Sequence, residues 1–466
     1  MRQQPTSLSV LALGRAYRSG DLEPVEVTEA YLQAAEAHPQ GRLAYRTLTA
    51  ARARRQAQEA ARLFRAGVDT GPLQGVPIAV KDLLDMEGEV SAAGSKVLLQ
   101  ERPPAEQDAP VVARLDAAGA VFLGRTTMTE LAFSGIGINP HFGTPGCVRD
   151  PERVPGGSSS GTGVAVALGL AAAGLGSDTG GSVRIPAAVN GILGLKTTDG
   201  RIPTEGAVPL STTLDTIGPL ARDADDAWAL YLTMLAEPYR ALPEPPERLV
   251  VLAPTTVLQE ELEPAVAAAF TAALARLEAA GCEVRRAELP LLTEVAGLYR
   301  RYGSFAAFEA LALYQELLER RGDAMDRRVV ERVLQVAERP AVDYIRLGYA
   351  RDALRRRFWP ELAGVDAVAA PTLAILPPRI DALAEDRDYF RANARMLRNT
   401  TVFNVLASPA VSVPAGDTAE GLSVGLMVAT RPGEEALALG IARRFVNAGV
   451  DRASGRRQQQ QQRPRR

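Results

Sequence analysis

The chain has 466 residues, 46% hydrophobic and 23% charged, with a formal net charge of −2. That length supports a large buried core, and the balanced charge gives no global reason for a nucleic-acid or membrane partner. Two cysteines, Cys147 and Cys282, and two histidines, His38 and His141, are too few for a disulfide framework or a zinc site, so neither a metal nor any other cofactor is expected.

The apolar run from Leu8 to Leu13, interrupted by Ser9, is too weak for a secretory signal. No later segment reaches membrane-spanning length without charge, so the expected location is the cytoplasm. From Pro24 to Ala37, Val27, Tyr31, Ala34 and Ala35 follow a helical face behind a first-turn proline, and Ala50 to Phe64 continues as a second helix. Val76 to Val80 reads as a short strand ending at Lys81, and Val111 to Ala117 as a helix feeding a strand at Ala120 to Leu123. Between Gly156 and Arg184, two glycine- and serine-rich loops flank an apolar stretch that fits a helix near Gly163 to Leu170 and a buried strand from Ala171 to Leu175.

After Arg222 an acidic helical stretch leads to the proline-rich joint 243–246. A strand (Leu249 to Ala253), a helix (Ala265 to Ala280) and a strand (Cys282 to Glu288) follow. Residues Val295 to Phe358 read as almost wholly helical. Strands at Ala367 to Ala370, around Ala410 to Val413 and around Val424 to Val428 return the chain to the sheet. Alternating strands and helices predict an α/β fold with a large mixed, twisted central sheet covered by helices on both faces, as one domain over residues 1–455. The glutamine- and arginine-rich end, 456–466, has nothing to bury and is expected to lack fixed structure.

Lysine usage is the sharpest compositional signal. Of 53 basic residues only Lys81, Lys96 and Lys196 are lysines, leaving 50 arginines. A lysine retained under such a bias suits a place where an amine must lose its proton, which a guanidinium does not do. Ser158 and Ser182 lie 24 residues apart in the two small-residue loops. In Asp178-Thr-Gly-Gly-Ser the glycines allow successive backbone N–H groups to converge on one point, the geometry that holds a developing oxyanion beside a serine nucleophile. Neither histidine lies in a triad-like motif, because His38 precedes Pro39 and His141 follows Asn139-Pro140. Lys81, at a strand end in Gly-Val-Pro-Ile-Ala-Val-Lys-Asp, is the better base provided burial favours its neutral form. An unperturbed lysine is neutral in only about 0.04% of molecules at pH 7, a gap of roughly 4.6 kcal/mol that the fold has to supply.

Lys81, Ser158 and Ser182, with their flanks, resemble the amidase signature family. The likeness continues through Asp108-Ala-Pro-Val-Val-Ala-Arg, Gly124-Arg-Thr-Thr-Met-Thr-Glu, Gly194-Leu-Lys-Thr-Thr, Leu214-Asp-Thr-Ile-Gly-Pro, Phe403-Asn-Val-Leu-Ala-Ser-Pro-Ala and Gly421-Leu-Ser-Val-Gly-Leu, over nearly the whole chain. The resemblance implies a catalytic lysine (Lys81), a bridging serine (Ser158) after a cis peptide from Gly157, and a nucleophile (Ser182). It further implies oxyanion donors among Thr179, Gly180, Gly181 and Ser182, bracing of the loops by Ser159, Asp178 and Arg184, and an acyl pocket lined by Ala132 and Phe133. Two departures from the family pattern, Arg125 before Thr126 and Thr197 after Lys196, lie outside the chemistry.

The expected activity is hydrolysis of a carboxamide to an acid and ammonia or an amine. The expected partner is a small amide substrate and, if the chain self-associates, a second copy in a homodimer. A glutaminase-type amidase component of a tRNA amidotransferase, which would need partner subunits, is an alternative, although Asp326 to Leu347 is more similar to generic amidases. A non-catalytic scaffold or binding protein with the same fold is a second alternative, and a shared fold alone does not decide between them. A phosphate-binding loop is disfavoured, because Gly156 to Gly161 is followed by Thr162-Gly163 and not Lys-Ser/Thr.

Overall fold

An 11-stranded mixed sheet runs through the computed structural model, which describes the backbone of residues 4–461 and the side chains of residues 4–449. The strands are β1 (Tyr45–Leu48), β2 (Pro77–Lys81), β3 (Val121–Thr126), β4 (Ala173–Asp178), β5 (Leu193–Lys196), β6 (Thr216–Ala221), β7 (Leu249–Pro254), β8 (Cys282–Ala287), β9 (Ala367–Pro371), β10 (Ala410–Asp417) and β11 (Ser423–Ala429). Their spatial order is β1-β3-β2-β4-β6-β5-β10-β11-β9-β7-β8. β2 is parallel to both β3 and β4, and β7 is parallel to both β8 and β9, while the strands between these two groups pair antiparallel. Every residue of β2, β3, β4, β5, β6, β9 and β11 is buried, so both faces of the central sheet are covered. Buried strands of this kind read as continuous small or apolar runs with no alternation.

The parallel pairing of β2 and β4 positions the site. Val80 lies opposite Leu175, so the C-terminal ends of both strands, carrying Lys81 and Ser177-Asp178, emerge at the same edge of the sheet. That edge is where open α/β sheets place their ligands. The helix Ser160–Ala167 packs on β2 and β4 and holds Ser158 at its entry, while the helix Arg184–Asn190 leaves the loop that carries Ser182.

The helix at Pro24–Ala37 has the bounds its pattern predicts, and those at Ala50–Arg65, Pro110–Ala117 and Pro264–Ala279 fall within one residue of expectation. The serine segment is shifted. Its helix is Ser160–Ala167 where Gly163 to Leu170 is expected from the sequence, because Ser159 stands at the N-cap and Gly169 (φ 70°) stops it. Its strand is Ala173–Asp178, three residues beyond the expected end.

Five elements below carry no clear signal in the sequence. The weak run at Leu8–Leu13 belongs to a helix, Val10–Ser19, whose first N–H groups are taken by Asp226 at 2.8 and 3.0 Å, a partner 215 residues away. β5 is four residues long and includes Gly194, and β6 contains Gly218 and Pro219, residues that demote a strand reading. The helix Asp386–Val405 buries Asn393, Asn399 and Asn404, which obscures an apolar stripe. The helix Glu435–Gln461 closes the chain. The end expected to lack fixed structure, 456–466, falls where side chains, and from 462 the backbone as well, lie outside the described residues.

Candidate active site

Lys81 is fully buried at the end of β2, and its Nζ donates to Ser158 Oγ and to Ser177 Oγ, each at 2.8 Å. Burial pulls the ammonium pKa down from 10.5 to about 7, even though Asp215 and Asp178 act in the opposite direction. That shift brings the neutral amine within reach at neutral pH and removes most of the gap noted for a free lysine. The other two lysines have different surroundings. Lys196 is buried but bound to Asp199 at 2.9 Å and to the carbonyls of Thr197 and Ser408, and Lys96 is exposed.

The Gly157–Ser158 peptide is cis, as the family resemblance implies. Gly157 has no room for a side chain, since a Cβ there would lie 2.7 Å from Gly137 N. The two serine loops lie side by side: Ser159 N–H donates to Ser182 O at 3.3 Å. The Ser158 and Ser182 hydroxyls form no hydrogen bond in this conformation, so the lysine-to-Ser158 link is present while the two loops are joined through the backbone of Ser159.

The loop before Ser182 is built for convergent donors. Gly181 has φ 140°, and a Cβ there would meet Thr400 Oγ1 at 2.2 Å, so only glycine fits. The Gly180 carbonyl accepts from Thr400 Oγ1 (2.6 Å) and Thr401 Oγ1 (3.2 Å). Val183 N–H is already taken by Asp178 Oδ2 at 3.2 Å. The N–H groups of Thr179, Gly180, Gly181 and Ser182 have no acceptor among the described residues. Thr179 Oγ1 donates to Asp215, whose carboxyl is pushed up to about 6 by burial.

Beneath this loop the Arg184 guanidinium pairs with both oxygens of Asp178, at 2.9 and 3.0 Å, and reaches Asn404 Oδ1 at 2.6 Å and Thr400 O at 2.9 Å. Burial works against the Asp178 charge, but Arg184 and Asn404 outweigh it and hold the carboxyl at about 2. Ser159 Oγ donates to Ser177 O at 3.4 Å, tying the first loop to β4. Asp178, Arg184 and Ser159 thus tie the two loops to β4 and to the helix Asp386–Val405.

Ser182, Thr179, Gly180, Ala132 and Phe133 line one cavity of about 630 Å³, a size suited to a small-molecule site. Its other walls come from the helices Leu291–Tyr302, Arg327–Leu334 and Asp386–Val405. Sequence reasoning misses Ser177, the second acceptor of the Lys81 amine, although it directly precedes Asp178 in the same motif. It also misses Asp215, Thr400 and Asn404, whose roles depend on tertiary proximity. The histidines sit elsewhere: His141 Nε2 faces Glu130 at 3.1 Å, and His38 Nδ1 accepts from Gln40 N–H at 3.1 Å. Among the described residues no cluster of histidine, cysteine and carboxylate side chains is placed to hold a metal, and no helix is long and apolar enough to cross a membrane.

A mixed α/β sheet with a cavity at its strand ends, a glycine-rich donor loop beside a serine and a buried amine at hydrogen-bond distance from a second serine define a hydrolase of the acyl-transfer class. Residues 26–439 match the family model described as Amidase, and the chain belongs to this family, as a hydrolase of amide C–N bonds. A 2-amino-5-chloromuconic acid deaminase of Comamonas testosteroni is 39% identical over 86% of this chain and 87% of its own length. A glutamyl-tRNA(Gln) amidotransferase subunit of Synechococcus sp. (strain WH7803) is 32% identical over 92% of this chain and 95% of the relative. A solved structure described as an amidase superposes with a TM-score of 0.86 at 33% identity, covering 95% of this chain and all of the other.

Proposed function

We propose that amide hydrolysis by this enzyme runs through an acyl-enzyme on Ser182, with Ser158 and neutral Lys81 relaying the proton. Lys81 takes the Ser158 hydroxyl proton as Ser158 takes that of Ser182, and Ser182 Oγ attacks the amide carbonyl. The N–H groups of the Thr179–Ser182 loop receive the oxyanion. Loss of one such donor costs about 10²–10³ in rate in related chemistry. As the tetrahedral intermediate collapses the C–N bond breaks, and the proton held by Lys81 returns through Ser158 to the departing ammonia or amine. Water then attacks the ester, with the same relay as base, and frees the acid.

The observation that carries this reading is the Lys81 amine: fully buried, 2.8 Å from Ser158 Oγ, and drawn to a pKa of about 7. The missing bond between the serine hydroxyls is compatible with it, because catalytic hydrogen bonds often tighten only once substrate is bound. The test is to quench wild-type enzyme during turnover of an activated amide and weigh the protein. A mass increase equal to the acyl group, mapped to the peptide containing Ser182 and absent from Ser182→Ala, is expected. Unimpaired turnover by Ser182→Ala refutes the assignment.

The substrate is a small carboxamide, and a homodimer is the proposed assembly. Both cysteines are free and buried, which fits a reducing compartment such as the cytoplasm. The likeness to the amidotransferase relative supports a second reading, in which the ammonia is passed to a partner protein. Co-purification of a stoichiometric partner from the native host separates the two.

A further inference from the structure

The wall of the substrate cavity carries two arginines without an anionic partner. Arg332, on the helix Arg327–Leu334, and Arg398, on the helix Asp386–Val405, line the same cavity as Ser182. Elsewhere this protein pairs its most deeply buried guanidinium groups with carboxylates: Arg125 with Asp82, Arg184 with Asp178 and Arg351 with Asp199. Arg332 instead donates to the carbonyl of Phe133 and stacks over its ring at 4.2 Å. Arg398 donates through Nε to Asn399 Oδ1 at 3.1 Å, and its Nη2 is buried with no partner at all.

Neither residue forms an ion pair among the described residues. The carboxylate on the cavity wall, Glu331, is exposed, and the third arginine there, Arg339, is already joined to Asp343 at 3.3 Å. Burial pulls the Arg332 guanidinium down to about 10, and burial together with Arg395 lowers that of Arg398 against the attraction of Glu260 and Glu261, neither of which forms an ion pair with it. Both stay charged at neutral pH. A half-buried cation without a counterion is costly, and the cost is recovered when an anion enters with the ligand. The guanidinium fork matches a carboxylate geometrically.

The cavity that these cations share with Ser182 is lined largely by apolar side chains, among them Leu214, Val295, Val336, Leu397 and Val402, with Asn393 and Thr401 as polar neighbours. Such a wall suits an aliphatic spacer joining the scissile amide to the charge. Arg332 is anchored on Phe133, which lies on the side assigned to the acyl part.

We propose that the substrate is a carboxamide whose acyl chain ends in a carboxylate, the monoamide of a dicarboxylic acid, with Arg398 and Arg332 as specificity-determining residues for that carboxylate. The proposal rests on the acyl-transfer reading of the site. The test is ammonia release from the monoamides of malonic, succinic, glutaric and adipic acids, set against neutral aliphatic amides of matching chain length.

Wild-type kcat/KM should favour at least one charged member over its neutral counterpart by about tenfold or more. Arg398→Gln should cut kcat/KM for that member by about 10- to 100-fold, mainly through KM, as expected for loss of a charge-assisted hydrogen bond. Its effect on the neutral amide should be at least ten times smaller, and Arg398→Lys should recover part of the loss. Should Arg398→Gln fold poorly, the Ser182→Ala protein serves instead: the charged monoamide, and not the neutral amide, should raise its melting temperature. Equal or better wild-type turnover of the neutral series overturns the proposal, as does an equal loss on both series in Arg398→Gln. Ammonia from neither series overturns the underlying acyl-transfer reading, and is told apart because neutral amides then fail as well.

Discussion

Replacing Lys81 by methionine keeps the side-chain length and removes the buried amine, and the fold should respond in a pH-dependent way. The amine titrates at about 7 in the folded protein against 10.5 in an unfolded chain. At about 1.36 kcal/mol per pKa unit, that gap amounts to a penalty on the order of 5 kcal/mol. Below pH 7 both states are protonated and the folded wild type carries the whole penalty. Between pH 7 and 10.5 the unfolded chain binds one proton more than the folded one, so stability rises by about 1.4 kcal/mol per pH unit. Above that window the penalty is gone.

Lys81→Met also strips a donor from Ser158 and from Ser177, a loss of about 1 kcal/mol each that does not depend on pH in this range. The variant should therefore be more stable than wild type by about 2–3 kcal/mol at pH 6, and less stable by about 1 kcal/mol near pH 10, where part of the penalty on wild type remains, while being inactive throughout. Urea unfolding of both proteins at steps from pH 6 to 10, followed by the fluorescence of Trp228 and Trp359, measures the difference, in which titrating groups remote from Lys81 cancel. A difference that stays constant with pH means that the amine is not desolvated, and the proton relay loses its base.

The catalytic profile should follow the same group. Wild-type kcat/KM should fall as pH drops below about 7, with the same midpoint in His141→Gln, because His141 is engaged with Glu130 and stands apart from the cavity. A midpoint that moves in His141→Gln refutes the lysine as base. Arg184→Met should destabilise the protein by about 3–5 kcal/mol, since it leaves Asp178 charged and buried without its partner. The double variant Asp178→Asn/Arg184→Met should recover part of that loss in the same urea titration, and a double variant no better than the single one would mean that the pair is not the source of the cost.

Much of the site was legible in one dimension because its chemistry needs rare residue types in short motifs. The scarcity of lysine singled out Lys81, and the spacing of glycines around Ser182 pointed to a donor loop, since each glycine answers a local steric demand such as that at Gly181. Elements with strong local signals, such as the helices at Pro24–Ala37 and Ala50–Arg65, read almost to the residue. β6 did not, because Pro219 argues locally against a central strand and is accepted there only because its neighbours in the sheet fix it. The helix Val10–Ser19 stayed hidden for a related reason: its N-terminus is satisfied by Asp226, far along the chain.

Sequence by itself determined the α/β class and singled out the candidate groups for acyl transfer, because composition, periodicity and glycine spacing are local properties. Only the tertiary structure decided that the Lys81 amine is buried and its pKa drawn far down, that Ser177 shares it, that Asn404 and Thr400 reach the loop from a helix more than 200 residues away, and that Arg332 and Arg398 line the cavity without an ion pair. Desolvation and charge pairing depend on what surrounds a group in space, and the parallel register of β2 against β4 is the step that turns a set of reactive residues into a site.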